Sequence, residues 1–327
     1  MKTFAIASLM GMLVIVFILF AAIAFGGPGT TAPMASIAQP FKGIDYSALP
    51  PVERFVARDG TPLAFRRYAP AGTHGLGSVV LVHGSSATGT SMHTMAQAFC
   101  GAGYTVVTLD MRGHGGSGVK GRMGYVGQLE DDIEDFVRAV QPAAPRTLIG
   151  FSSGGGFVLR FASDARQTLF DNYVLLSPFL SQNAPTQRKD SGGWVSVGLP
   201  RAIAIFVLNR IGITAFNDLP VTTFAVEESA KSILTAQYSF ALADNFRPRQ
   251  NYAGDIEAAK RPLAVLVGER DEAFHADRFA EVFAGKSPAI PVTIVANLGH
   301  VAMTLDPVAL QAVIAAVTKL NLKGTAL

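Results

Sequence analysis

Residues 148–155 read Leu-Ile-Gly-Phe-Ser-Ser-Gly-Gly, and this stretch decides the fold. An apolar strand enters the pattern G-x-S-x-G around Ser152, and residues 155–162 continue with apolar residues at helical spacing. A serine at a sharp strand-to-helix corner has a strained backbone, and a Cβ at the flanking glycines would collide with a neighbouring element. The corner therefore predicts an exposed serine hydroxyl that acts as a nucleophile.

The segments around this corner alternate between short apolar strands and helix-length stretches. A hairpin with an Asp-Gly turn is predicted over residues 52–68. The strands that follow lack polar alternation, as expected for a parallel sheet that is buried on both faces. These strands are 78–82, 105–109, 147–149, 173–176, 263–267 and 292–295. We therefore expect an α/β fold with a mostly parallel, doubly wound sheet.

The alternation of short apolar strands with helix-length stretches stops between Pro178 and Lys260. A structureless loop of roughly 80 residues is improbable, so we predict an inserted helical cap. The expected domains are an N-terminal transmembrane anchor or signal peptide (1–27), a linker (28–50), the first part of the core (51–177), the cap (178–260) and the second part of the core (261–327).

The run from Phe4 to Phe25 carries no charge. Its roughly 22 residues would span about 33 Å as a helix, which matches a bilayer core of about 30 Å. Lys2 flanks the run on one side, and the next charge on the other side is Lys42. The positive-inside rule then predicts a cytoplasmic N-terminus and a catalytic domain on the periplasmic or extracytoplasmic side. The alternative is secretion after cleavage near Ala22-Ile23-Ala24, which resembles a signal-peptidase site.

Composition argues against several other classes of protein. The chain has 327 residues, 49% of them hydrophobic, which is enough for one α/β core with an insertion. The net charge of +3 is small and the basic residues are scattered, so we expect no nucleic-acid partner. One cysteine, Cys100, excludes an intrachain disulfide, and the six histidines lack metal-site spacing. We expect no metal, no organic cofactor and no obligate protein partner.

A serine nucleophile needs a histidine that removes its proton and a carboxylate that orients the histidine. Asp271 and His300 each follow a predicted strand, so both emerge at the carboxyl edge of the sheet. Glu269 and Glu272 are rivals for the acid. His275 is a rival for the base. It shares a loop with the acid, however, and could not easily reach the position that the base must occupy beside Ser152.

The developing oxyanion needs backbone donors that are in place before the reaction. Ser85 follows the third strand, so we expect its N–H to be one donor and the N–H of Ser153 to be the other. Gly84 allows the loop to approach closely, and we expect His83 to brace the loop by hydrogen bonding. In the glycine-rich segment 110–117 we expect Asp110 and Arg112 to form hydrogen bonds with neighbouring backbone groups.

These motifs resemble those of the α/β-hydrolase superfamily, in particular its branch of serine aminopeptidase S33-like and monoacylglycerol lipase (lysophospholipase)-like enzymes. The resemblance covers residues 52–320 apart from the cap, and it implies a Ser152, Asp271 and His300 triad under the cap. The matching motifs are His83-Gly84, Asp110-x-Arg112-Gly113-x-Gly115, Gly150-x-Ser152-x-Gly154, Gly268-x-x-Asp271 and Gly299-His300. Two departures leave the substrate open: Phe-Ser surrounds the nucleophile where His-Ser or His-Met is commoner, and the cap follows no known motif.

We therefore expect a membrane-anchored serine hydrolase that cleaves a small, lipid-like carboxylic ester through an acyl-serine intermediate. One alternative is a small-peptide or aminoacyl-amide peptidase, for which the cap offers Asp218, Glu227 and Glu228 as candidate amine ligands. Another is a binding or sensing protein without turnover. The apolar cap segment 194–208 either packs on the core or forms a lid that guides an acyl chain or rests on the membrane.

Overall fold

The computed structural model describes residues 2–32, 39–70, 75–189, 193–286 and 289–324. Its strands are β1 (Val52–Val56), β2 (Pro62–Tyr68), β3 (Ser78–Val82), β4 (Thr105–Leu109), β5 (Arg146–Phe151), β6 (Asn172–Leu176), β7 (Val195–Val197), β8 (Pro220–Phe224), β9 (Gln237–Ser239), β10 (Leu263–Gly268) and β11 (Val292–Val295). Its α-helices are α1 (Lys2–Phe25), α2 (His93–Gly101), α3 (Gln128–Val140), α4 (Ser153–Ala162), α5 (Leu199–Arg210), α6 (Phe240–Asn245), α7 (Tyr252–Ala258), α8 (Phe279–Val282) and α9 (Pro307–Gly324).

Eight strands form the central sheet in the order β1-β2-β4-β3-β5-β6-β10-β11. The hairpin β1-β2 joins the sheet through an antiparallel pairing with β4, and the six strands from β4 to β11 are parallel. This arrangement confirms the predicted α/β-hydrolase fold. It also brings the carboxyl ends of β3, β5, β10 and β11 to one edge, where their loops meet.

Apolar side chains of the central strands alternate between two cores, one on each face of the sheet. Within β3, Val79 and Leu81 belong to the core that includes α2 and α9, whereas Val80 and Val82 belong to the core that includes α3 and α4. All four side chains are fully buried. This two-sided burial explains why the strand carries no polar alternation.

Between β6 and β10 lies the segment that we predicted as a helical cap, and it contains strands as well as helices. It contains α5, α6 and α7, and it also contains a separate antiparallel sheet in the order β7-β8-β9. We did not predict this sheet, because β7 and β9 are three residues long and too short to show a period. Within the segment that we assign to the cap, α7 packs against the core helix α4. The division of the chain into domains stays a prediction.

Helix α1 stands out from the rest of the described chain. Over Ile6–Phe25 it is the one described helix that is long and apolar enough to cross a membrane, with a mean hydropathy of 2.9 and no buried residue in its most apolar window. Its carboxyl end packs against α5 of the cap. Ile23 there is half-buried against a small cluster of cap residues, Ile205, Val221 and Phe240.

Candidate active site

Ser152 lies at the corner between β5 and α4 in a strained backbone conformation, with φ +55° and ψ −120°. A non-glycine residue with positive φ is uncommon and costs free energy, so the surrounding structure must hold it. The N–H of Ser152 donates to the carbonyl of Leu176 at 2.9 Å, and its carbonyl accepts from the N–H groups of Gly156 and Phe179, each at 3.0 Å. These three bonds fix the corner.

The two glycines that flank this corner are required by close packing. A Cβ on Gly150 would lie 2.2 Å from the carbonyl oxygen of Gly154, and a Cβ on Gly154 would lie 2.3 Å from that of His83. Backbone atoms cannot move away from such a contact without moving the strand. The G-x-S-x-G pattern therefore reflects the approach of β3, β5 and α4 at one point.

The structure brings together the three side chains that we predicted as a triad. Nε2 of His300 lies 3.0 Å from Oγ of Ser152, and Nδ1 of His300 lies 2.9 Å from Oδ2 of Asp271. An ionised carboxylate only accepts hydrogen bonds, so Nδ1 carries the proton and donates it to Asp271. Nε2 is then the acceptor for the Ser152 hydroxyl, as a general base requires.

The environment keeps Asp271 ionised. Burial raises the pKa of its carboxyl, but the neighbouring His300 and the hydrogen bonds to the carboxylate lower it by more, so the pKa lies below its ordinary value. Oδ1 accepts from the N–H groups of Ala273 and Phe274, each at 2.9 Å. The imidazole of His300 is flanked by the rings of Phe151 and Phe274, at 4.7 and 5.2 Å between ring centroids.

The rival residues for acid and base have other contacts. The carboxylate of Glu272 accepts from the backbone N–H of His300 at 2.8 Å, and that of Glu269 accepts from the N–H of Asn297 at 2.8 Å. His275 donates its backbone N–H to Thr186 and lines a neighbouring cavity. The two glutamates hold the backbone of the loop that carries His300, and only Asp271 reaches its ring.

Ser85 and Ser153 line the same cavity as Ser152 and His300. Their hydroxyl groups are in hydrogen-bond contact with each other. Ser153 is the first residue of α4, so its N–H has no carbonyl partner within the helix. Both predicted donors therefore lie beside the nucleophile, although their role in binding an oxyanion stays a proposal.

His83 fixes the peptide that carries the N–H of Ser85. Its Nε2 accepts from the N–H of Met111 at 3.2 Å, so Nδ1 carries the proton and donates to the carbonyl of Gly84 at 2.7 Å. Burial lowers the pKa of His83, which favours this neutral form. The Gly84 carbonyl and the Ser85 N–H belong to one trans peptide and point in opposite directions. Holding the carbonyl thus aims the N–H.

The glycine-rich segment after β4 differs in part from our expectation. Asp110 bonds neighbouring backbone as expected, since its carboxylate accepts from the N–H groups of Gly89 and Gly116, each at 2.8 Å. Arg112 instead forms ion pairs with Asp132 at 2.7 Å and Asp59 at 2.9 Å. The arginine therefore joins α3 to the β1-β2 hairpin. Its spacing in the motif does not reveal these partners.

A cavity of about 760 Å³ opens over Ser152. The cap contributes mostly apolar side chains to its lining, among them Val195, Leu199, Ile203, Phe206, Phe224 and Phe240, and it also contributes the polar side chains of Gln182, Gln187, Arg188 and Arg247. Such a shape suits a molecule with one apolar and one polar end. Within the described part of the chain, no group of three or more His, Cys, Asp or Glu residues could hold a metal ion.

Comparison with known proteins identifies the family of this chain. A family model described as serine aminopeptidase, S33, matches residues 73–300. A curated relative, the monoacylglycerol lipase of Mycolicibacterium smegmatis, is 39% identical over 93 residues, which cover 27% of this chain and 32% of the relative. The match thus spans about a third of that relative.

Two solved structures share the fold at low identity. A soluble variant of the monoglyceride lipase from Saccharomyces cerevisiae has a TM-score of 0.62 at 16% identity, covering 87% of this chain and 99% of that one. A bacterial membrane phospholipase A has a TM-score of 0.56 at 18% identity, covering 98% and 99%. The family model covers more than half of the chain, and the chain therefore belongs to the serine aminopeptidase S33 family of α/β hydrolases.

Proposed function

We propose that this protein is a membrane-anchored serine hydrolase that cleaves carboxylic esters through an acyl-serine intermediate. The observation that carries the proposal is the continuous hydrogen-bonded chain from Ser152 through His300 to the buried Asp271, at 3.0 and 2.9 Å. Ser152 and His300 both line a largely apolar cavity. The names of the relatives, a monoacylglycerol lipase and a monoglyceride lipase, are consistent with a lipid-like ester as substrate.

In the proposed reaction, Oγ of Ser152 attacks the ester carbonyl while Nε2 of His300 takes the hydroxyl proton. Asp271 stabilises the imidazolium, and the N–H groups of Ser85 and Ser153 bind the oxyanion. When the tetrahedral intermediate collapses, His300 gives its proton to the departing alcohol. Water then attacks the acyl-serine, His300 takes a proton from the water, and that proton returns to Ser152 as the acid leaves.

The carboxylates of the cap favour esters over peptides with a free amine. Asp218 and Glu228 form exposed ion pairs, and neither they nor Glu227 line the cavity. The two carboxylates that do line it, Asp244 and Glu272, already accept hydrogen bonds from an arginine and from a backbone N–H. Among the described cavity residues, Glu272 is thus the one carboxylate without an arginine partner, so a peptidase reaction would have to hold its substrate amine there.

Membrane anchoring is the second part of the proposal. Helix α1 has the length and apolarity of a single span, and its carboxyl end packs on α5. On α5, the apolar residues Leu199, Ile203 and Val207 recur every four residues, and each of them is more than 40% exposed. Together they form an apolar stripe beside the anchor. We propose that the N-terminus is cytoplasmic, that the catalytic domain is extracytoplasmic, and that this stripe, whose residues Leu199 and Ile203 also line the cavity, faces the lipid.

Labelling with a fluorophosphonate probe tests the chemistry. The wild-type protein should be labelled, Ser152→Ala should lose the label and at least about 10⁴-fold in kcat, and the control Ser181→Ala should match the wild type. Ser181 is partly buried and lies outside the cavity lining. A folded wild-type protein that takes no label would favour a ligand-binding role. Faster turnover of aminoacyl amides than of esters would favour a peptidase.

The intact mass of the membrane-extracted protein tests the anchor. A mass that includes residues 1–27 is expected, together with loss of membrane association when these residues are deleted. A mature chain that begins near residue 25 and is released in soluble form would overturn the anchor in favour of a cleaved signal peptide.

A further inference from the structure

We propose that Tyr238, on strand β9 of the cap, is a positioning residue that holds the loop carrying the Ser85 donor. The inference rests on the proposed function, because it concerns the binding of the oxyanion. The cap would then complete the active site as well as cover it.

The hydroxyl of Tyr238 joins two buried groups of the core. Oη accepts from the backbone N–H of Ser86 at 2.6 Å and lies 2.6 Å from Nε2 of His114. Nδ1 of His114 lies 3.2 Å from the carbonyl of Arg112. Since that carbonyl can only accept, Nδ1 carries the proton, and Nε2 accepts the hydroxyl proton of Tyr238. Each hydrogen bond in this series therefore has one defined donor and one defined acceptor.

The environment keeps the direction of these bonds constant. Tyr238 is 3% exposed and His114 is fully buried. Burial, and then the neighbouring His83, lower the pKa of His114 to well below its ordinary value, so the ring is neutral. Burial also raises the pKa of the Tyr238 hydroxyl, so it keeps its proton.

The cap holds Ser86 from a second side as well. The N–H of Thr235 donates to the carbonyl of Ser86 at 2.9 Å, so both backbone polar groups of Ser86 bond to the cap segment 235–238. Ser86 has a φ of +65°, which is unfavourable for a serine and must be held by its surroundings. The bonds from the cap provide that restraint.

Ser85 lies between two peptides that are each held in place. His83 holds the peptide before it through the Gly84 carbonyl, and Tyr238 holds the peptide after it through the Ser86 N–H. With both planes held, the N–H of Ser85 has one direction. Loss of the Tyr238 bond would free the second plane and weaken the donor in the transition state.

The test is Tyr238→Phe, which keeps the ring contact with Phe224 and removes only the hydroxyl. We expect kcat to fall about 10-fold on esters of every acyl length, which is less than the loss of a whole oxyanion donor, and KM to stay within about twofold. The affinity for a trifluoromethyl ketone that mimics the oxyanion should fall by the same factor.

The matched control is Tyr173→Phe. Tyr173 is also fully buried, and its hydroxyl donates to the carbonyl of Gln167 at 2.6 Å, remote from the Ser85 loop. This variant should lose stability but keep the kcat of the wild type. Should Tyr238→Phe fail to fold, His114→Phe, which removes the acceptor of the Tyr238 hydroxyl, is expected to lower kcat with unchanged KM.

A folded Tyr238→Phe with wild-type kcat, a change in KM alone, or an equal loss of kcat in Tyr173→Phe would overturn this role. Failure of the proposed function is distinct, because the wild-type protein itself would then show no turnover that depends on Ser152.

Discussion

Arg201, near the start of the cap helix α5, donates from Nε to the carbonyl oxygen of Ile23 at 2.8 Å, in the last turn of helix α1. Its Nη1 also donates to the carbonyl of Pro220 in β8, at 2.9 Å. The last carbonyls of a helix have no partner within the helix and carry a partial negative charge. One guanidinium therefore joins the N-terminal helix, the cap helix and the cap sheet.

Replacing this guanidinium should loosen the cap from α1. In Arg201→Met we expect faster amide hydrogen exchange over residues 195–224, since the bonds to Ile23 and Pro220 are lost, and a stability loss of about 1–2 kcal/mol. Arg210→Met is the control, because Arg210 lies at the other end of α5 and is exposed. Equal exchange in the two variants would show that Arg201 does not hold the cap.

Asp271→Asn should lower kcat by about 10³- to 10⁴-fold with little change in KM, because the amide cannot stabilise the imidazolium or fix its tautomer. Glu272→Gln keeps an acceptor for the N–H of His300 and should lose less than about 10-fold. Steady-state kinetics of both variants on one ester show whether Asp271 or Glu272 is the functional acid. A larger loss in Glu272→Gln would make Glu272 the functional acid.

Buried histidines should make stability depend on pH. The pKa of His114 is lowered by burial and then by His83, so the unfolded chain binds more protons and stability rises with pH. Lys120 nearby acts in the same direction. Stability is complete above the unfolded pKa of about 6.5 and falls below it by up to about 1.4 kcal/mol per pH unit for this residue.

Thermal unfolding between pH 8 and pH 5 measures this slope, and His114→Phe should make it shallower. Tyr173→Phe removes no group that titrates in this range and should keep the slope of the wild type. A variant of His114 with an unchanged slope would mean that the residue is already protonated in the folded protein.

Gly154→Ala should disrupt the nucleophile corner, because its Cβ would lie 2.3 Å from the carbonyl oxygen of His83. A stability loss of about 1–3 kcal/mol and loss of probe labelling are expected. At Gly101 a new Cβ meets no atom within 4 Å, so Gly101→Ala should be neutral or stabilising. Normal labelling of Gly154→Ala would contradict the packing argument.

The core and the triad candidates could be predicted because each rests on a local pattern. The glycines around Ser152 follow from packing between adjacent elements, and Asp271 and His300 follow from their positions after apolar strands. Parallel strands end at one edge, so residues far apart in sequence could be assigned to one site without knowing their contacts.

The cap could not be predicted in the same way, because its contacts carry no local signal. Tyr238 and Ser86 are 152 positions apart, and Arg201 and Ile23 are 178 apart. The strands β7 and β9 are three residues long, and their register depends on β8 rather than on their own sequence. Such contacts are determined by tertiary packing.

Two adjacent acids bind one histidine in different ways: Asp271 bonds the ring of His300, and Glu272 bonds its backbone N–H. The segments that carry the acids and the histidine are therefore joined at two points, the ring and the main chain of His300. For an engineer who wishes to transplant this chemistry into another scaffold, copying three side chains would be insufficient. Both segments would have to be grafted together, with the spacing of the two carboxylates preserved.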